Sequence, residues 1–269
     1  MNIRRQAWLF LIWMGAVAAA CATMPSPSPP ADDSTLWDAG KIEKFLKPAR
    51  IVEIRKDREP GRTLPWRVTL DDGTTKATAM FKYVDRPRPM NFPDSYKYEV
   101  AAYELSRLLG IEIIPPTVER EVDGTRGSLQ WYLEGCLSEH DRERAQLQPP
   151  DLDAFLKQLD EIKIFELLAG DECQDKDDTL IHKEGWKVCR VDFSEAFPAS
   201  TTISEDCPIG RCSHHLFDRL QETSRAAVTD RLRRFLSEAE LAALWARQRR
   251  ILERIRTLIK EKGERAVIY

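Results

Sequence analysis

The sequence predicts an α+β fold in two lobes, a β-rich first half followed by a mostly helical second half. Three observations carry that expectation. Between residues 49 and 84 apolar residues fall into short runs separated by turn residues. One helix, from Ser95 to its stop at Gly110, lies inside this β-rich half. From residue 153 onward apolar residues recur at helical spacing.

Taken in order, 36–46 reads as a short helix closed by Lys47-Pro48, and 49–55 as a strand carrying Ile51, Val52 and Ile54. A turn at Pro60-Gly61 leads to the strand 66–70, and Asp71-Asp72-Gly73 is a hairpin turn. The strand 76–84 puts Ala77, Ala79, Phe81 and Tyr83 on one face and Met80, Lys82 and Val84 on the other. A Pro-rich loop, 85–94, precedes the helix. Val100, Tyr103, Leu105, Leu108 and Leu109 make its apolar face, Gly110 suits a C-cap, and Pro115-Pro116 forbids continuation. Strands over 111–121 and 128–133 complete a first lobe spanning 37–135. In the second lobe, 136–269, the helix 153–168 carries Phe155, Leu159, Ile162, Phe165 and Leu168. A hairpin, 179–182 and 186–193, turns at Glu184-Gly185. Helices are expected over 216–220 and 224–236, and from Ser237, where Glu240 completes a capping box, to Gly263.

The start of the chain sets an expected compartment. Arg4 and Arg5, the apolar run 7–17 and Ala18-Ala19-Ala20 have the form of an export signal over 1–20. Cys21 follows at once, which resembles a bacterial lipoprotein box; ordinary signal peptidase, leaving a free periplasmic protein, is the alternative. The Pro- and Ser-rich stretch 21–36 then serves as an extended tether. The resemblance implies a lipid-anchored, periplasm-facing envelope protein, with Ala22 and Thr23 favouring the outer membrane. The expected partners are the membrane, through an acyl chain on Cys21, and an unidentified protein. The net charge of −3 gives no basic excess for nucleic acid.

Five cysteines follow Cys21, and an oxidising compartment favours disulfides. Cys207-Pro-Ile-Gly-Arg-Cys212 contains turn residues, so Cys207 and Cys212 are the expected pair, with Cys173–Cys189 a second candidate. A Cys-Cys-His zinc site with His214 or His215 is the minor alternative, because zinc needs four fixed ligands and adjacent histidines seldom both point inward.

Phe81-Lys82, Glu99-Val-Ala-Ala-Tyr103, Leu108-Leu-Gly110, Pro115-Pro-Thr-Val118 and Val191-Asp-Phe-Ser-Glu-Ala-Phe197 stand in one order. In that order they resemble the atypical branch of the protein-kinase-like fold, which holds phosphatidylinositol 3/4-kinase-like and HipA-like bacterial proteins. Each residue alone is ordinary, a strand lysine or a helix charge; the joint order over about 51–197 carries the resemblance. It implies that Lys82 holds nucleotide phosphates, that Glu99 fixes Lys82, and that Asp178 and Asp192 hold Mg²⁺ beside ATP.

The same alignment exposes losses. Registered on Leu180, the loop Gly170-Asp-Glu-Cys-Gln-Asp-Lys-Asp-Asp-Thr-Leu180 has Cys173 at the catalytic Asp position and Asp178 at the metal-binding Asn position. A thiol with a pKa near ~8.5 is a poor proton acceptor at neutral pH. Asp171 and Asp175 are the candidates for a displaced base. Asp57-Arg-Glu-Pro-Gly61 is a poor phosphate loop, with one glycine and two acids where bare amides are needed. Lys176 and His182 replace the glycine and glutamate of an EF-hand, which excludes that reading of the acidic run. The expectation is therefore a degenerate, pseudokinase-like binding or regulatory protein, with ATP and Mg²⁺ bound weakly or not at all. A divergent phosphotransferase or nucleotidyl transferase, and a structural envelope lipoprotein, are the rivals.

Overall fold

A short amphipathic helix opens the structure. Asp38 caps α1 (Ala39–Leu46) by accepting from the Lys41 amide, and Phe45 and Leu46 are buried. The computed structural model describes residues 37–56, 64–86, 93–171, 173 and 175–269. The export signal, Cys21, the tether and the stretch 57–61 thus lie outside the described residues.

Three strands follow, β1 (Arg50–Arg55), β2 (Trp66–Asp71) and β3 (Lys76–Lys82), each antiparallel to its neighbour. A two-residue pair, β4 (Asp85–Arg86) and β5 (Asp94–Ser95), leads into α2 (Tyr96–Leu109). The strands β6 (Thr117–Val122) and β7 (Thr125–Trp131) complete a five-stranded antiparallel sheet of order β1-β2-β3-β7-β6. Alternation in β2 buries Trp66, Val68 and Leu70. With Ala79, Phe81, Val118, Leu129 and the α1 side chains Phe45 and Leu46 they form the core of the first lobe. Phe81 enters that core, so Lys82 faces away from it. The strand expected at 111–121 begins only at Thr117, since Pro115 and Pro116 supply no amide hydrogens to a ladder.

The helix α2 is held at both ends as its sequence demands. Ser95 accepts from the Lys97 amide, and Gly110 takes the left-handed conformation at φ 68°. Its apolar residues Tyr98, Ala101, Ala102, Leu105 and Leu109 join the larger core of the second lobe.

That lobe contains β8 (Cys136–Ser138), α3 (Glu139–Arg144), α4 (Leu152–Ala169), β9 (Thr179–His182), β10 (Val188–Arg190), α5 (His214–Glu222), α6 (Arg225–Leu232), α7 (Glu238–Lys262) and α8 (Glu264–Val267). The strands form a small antiparallel sheet of order β10-β9-β8. The expected capping box is present, Ser237 and Glu240 exchanging hydrogen bonds at the start of α7. The fold is α+β, β-rich then helical.

The cysteine pairing differs from the expectation. The disulfide joins Cys173 to Cys207, with Cα atoms 6.2 Å apart, and Cys212 and Cys189 are free and buried. The residues 208–211 run without a turn, so they carry Cys212 away from Cys207. Cys212 is then pinned to the chain end: its amide donates to Val267 O at 2.9 Å and its carbonyl accepts from the Tyr269 amide at 3.1 Å. Cys189 lies instead against Trp37 and Ala39.

Candidate functional site

Lys82 ends β3, Asp192 lies two residues beyond β10, and Glu99 comes from α2. Lys82 Nζ lies 2.5 Å from Glu99 Oε1 and 2.8 Å from Asp192 Oδ1. The other Glu99 oxygen accepts from the Phe193 amide at 3.2 Å. Asp192 follows β10 in the left-handed region at φ 61°, a conformation that Asp tolerates better than most residues. Phe193 packs edge-on against Phe165, with ring centroids 5.4 Å apart, and so fixes the backbone beside Asp192. The start of α2 is tied to the same segment, because Ser95 N donates to Ser194 O at 2.8 Å.

Close approach of β7 to β3 is a condition of this geometry. A Cβ on Gly127 would overlap the Lys82 carbonyl oxygen and the Phe81 ring.

The charges are strongly coupled. Burial alone would lower the Lys82 pKa, but the carboxylates of Glu99 and Asp192 outweigh it and raise it. Burial likewise opposes ionisation of Asp192, yet the Lys82 ammonium holds its carboxyl well below the usual carboxylate range. Glu99 is 2 % exposed, and burial pushes its carboxyl up against the pull of Lys82. Asp178 is pushed up to about 7, by burial first and then by the nearby Asp192, while Arg190 opposes the shift.

Arg190 organises the loop between β-strands and α4. Its fully buried guanidinium meets Glu166 at 2.9 Å, Asp171 at 3.1 Å and Asp178 at 3.4 Å, and donates to the Val191 carbonyl. Asp171 is therefore engaged in a buried ion pair. Asp175 accepts from the amides of Asp177 at 2.9 Å and Asp178 at 3.4 Å, so it shapes the turn. Cys173 is covalently committed to Cys207. Neither Asp171 nor Asp175 is poised as a free base, and Cys173 has no thiol to act as one.

A cleft of about 360 Å³ opens beside these carboxylates. Lys82, Asp178 and Asp192 line one part of it, and Met80, Leu133, Leu137, Leu180 and Val191 supply apolar surface. Trp131, the last residue of β7, and the following Tyr132 and Leu133 run along it. A flat heteroaromatic base fits such apolar walls, and a phosphate chain fits the Lys82 end. Among the described residues no group of three ligating side chains stands ready for a metal ion. Asp178 and Asp192 with phosphate oxygens and water would suffice for Mg²⁺, which commonly uses one or two carboxylates.

Asp94 escaped the sequence reading. It is buried beside β4, with Arg86 Nη2 3.4 Å from its Oδ2; burial and the Asp192 charge raise its pKa. A lone acid just before an N-cap gives no sign of such a location. Arg190 escaped too, since an arginine in a short strand reads as exposed.

No family model matches this chain, and no curated protein matches its sequence. Among solved structures it is similar to the crystal structure of a Helicobacter pylori proinflammatory kinase, CtkA, at 11% identity and a TM-score of 0.43, covering 78% of this chain and 94% of that one.

Proposed function

We propose that this chain is a degenerate kinase-like protein that acts by binding rather than by phosphoryl transfer. The supporting observation is the fate of residue 173: the position of the catalytic base holds half of a disulfide. Transfer to a hydroxyl needs a group that accepts its proton, and a disulfide sulfur does not. The two neighbouring acids are taken up by Arg190 and by the loop turn.

Nucleotide binding is the activity that the remaining residues support. Lys82, fixed by Glu99, would meet the phosphates, and the apolar cleft would take the base. Mg²⁺ held by Asp178 and Asp192 would neutralise phosphate charge. Asp192 must then exchange its contact with Lys82 for one with the cation, and Asp178 must give up its proton. Both steps weaken binding, which favours low affinity.

In the same reading the chain is an exported lipoprotein, anchored through Cys21 to the envelope with its body facing the periplasm and joined to an unidentified protein partner. Expressed in a bacterium, the protein should fractionate with membrane and carry diacylglyceryl mass; Cys21→Ala should release it or block its processing.

A divergent phosphotransferase or nucleotidyl transferase is the second reading, favoured by the assembled Lys82–Glu99–Asp192 contacts. Thermal-shift titration with ATP and Mg²⁺, paired with an assay of phosphoryl and adenylyl transfer, separates the two. The expected result is a small metal-dependent shift and no transfer. Robust autophosphorylation lost in both Lys82→Ala and Asp192→Ala would overturn the binding reading.

A further inference from the structure

The long helix α7 carries a second concave site, which shares no lining residue with the cleft. We propose that this groove docks an acidic peptide segment of a partner protein. Its volume is about 610 Å³, and Arg249, Arg250, Glu253 and Arg256 supply its charge, with Leu252 and Thr201 beside them. Arg249 and Arg250 are exposed and have no ion-pair partner among the described residues. Arg256 donates to the neutral Gln221 side chain at 3.0 Å. The groove is thus a positive site on a chain whose net charge is −3. An acidic segment is drawn to this cluster of guanidinium groups.

The spacing selects the ligand further. Arg249 and Arg256 are seven residues apart on one helix, hence on one face and about 10 Å apart along it. Two carboxylates three residues apart in a polyproline II segment lie on one face, about 9 Å apart. Each guanidinium fork takes a carboxylate by two parallel hydrogen bonds. Glu253 lies between the forks in sequence. It repels a continuous sheet of phosphates but faces an uncharged or basic residue of a peptide without penalty. A concave groove also accepts a narrow extended peptide more readily than a flat bilayer.

The test uses the full chain and a fluorescein-labelled peptide of about twelve residues with Glu at every third position. A matched peptide has Gln in place of Glu. Anisotropy should show binding of the Glu peptide only, weakening as salt rises from about 50 to about 300 mM. The double substitution Arg249→Glu, Arg250→Glu should reduce affinity at least about tenfold. Its melting temperature and its ATP-dependent thermal shift should be unchanged, so failure here is distinct from failure of the cleft reading. If neither peptide binds at about 1 mM, or the double variant binds the Glu peptide as well as wild type, the proposal is overturned. It is equally overturned if phosphatidylglycerol vesicles bind through these arginines and the Glu peptide does not.

Discussion

Lys82 stands between two carboxylates and opposes the effect of burial on both. Glu99 is buried with it, so removing the ammonium leaves a carboxyl with no cation to offset its burial. Lys82→Ala should destabilise the fold by about 2–4 kcal/mol in urea unfolding. Adding Glu99→Gln should recover part of that loss, since the neutral amide needs no cation. A loss no larger than that of a surface lysine would show that the pair does not hold the lobe. Asp178 makes an opposite prediction. Its folded pKa of about 7 lies above the 3.8 of an unperturbed Asp carboxyl, so the folded chain keeps a proton that the unfolded chain has released. Stability therefore falls as pH rises between these values, and the penalty is complete above about pH 7. Asp178→Asn should unfold at higher temperature than wild type at pH 8, with the difference vanishing below pH 4. These two side chains were legible because each belongs to a motif with neighbours of fixed type. Arg190 and Asp94 were not: their environments come from β10, α4 and β4, which only folding brings around them.

At the scale of elements, the sequence spoke clearly where a helix or strand has its own punctuation. Ser95 and Gly110 bound α2, and Ser237 and Glu240 open α7. It was silent on α3, whose residues Glu139–Arg144 have no apolar periodicity and depend on the Ser138 cap and on Glu139 paired with Arg142. It was silent on β8 as well, three residues long. The expected strands and helices otherwise shifted by a few residues at their ends. Contacts between elements supply the next prediction. Gly127→Ala pushes β7 off β3 at Lys82, because a methyl group has no space between the Lys82 carbonyl and the Phe81 ring. It should cost about 1–3 kcal/mol and weaken any ATP-dependent thermal shift with it. Gly170 ends α4 in the left-handed region, packed against Pro198 and Arg247. Gly170→Ala should destabilise by a similar amount, read by chemical denaturation, without touching the cleft lining.

For the whole molecule, the two-lobed order was readable and the covalent connectivity was not. Cysteine spacing along the chain says little when no turn brings two cysteines back together, as at 208–211. The bond that does form, Cys173–Cys207, spans a sequence separation of 34. Closing a loop of that length restricts the unfolded chain and stabilises the fold by about 4 kcal/mol in the loop-entropy account. Cys207→Ser should lower the urea midpoint accordingly, and dithiothreitol should do the same to the wild type and nothing more to the variant.

The same bond makes a ring of the chain, and the ring contains both Asp178 and Asp192. The hairpin between β9 and β10 turns at Lys183, which is exposed. Trypsin acting on the native protein at this tip would put the two carboxylates on different polypeptides, yet the pieces would stay joined through sulfur. The nicked protein should run as one species on a non-reducing denaturing gel and as two after reduction. A break in the chain at the cleft is, in this molecule, not a separation.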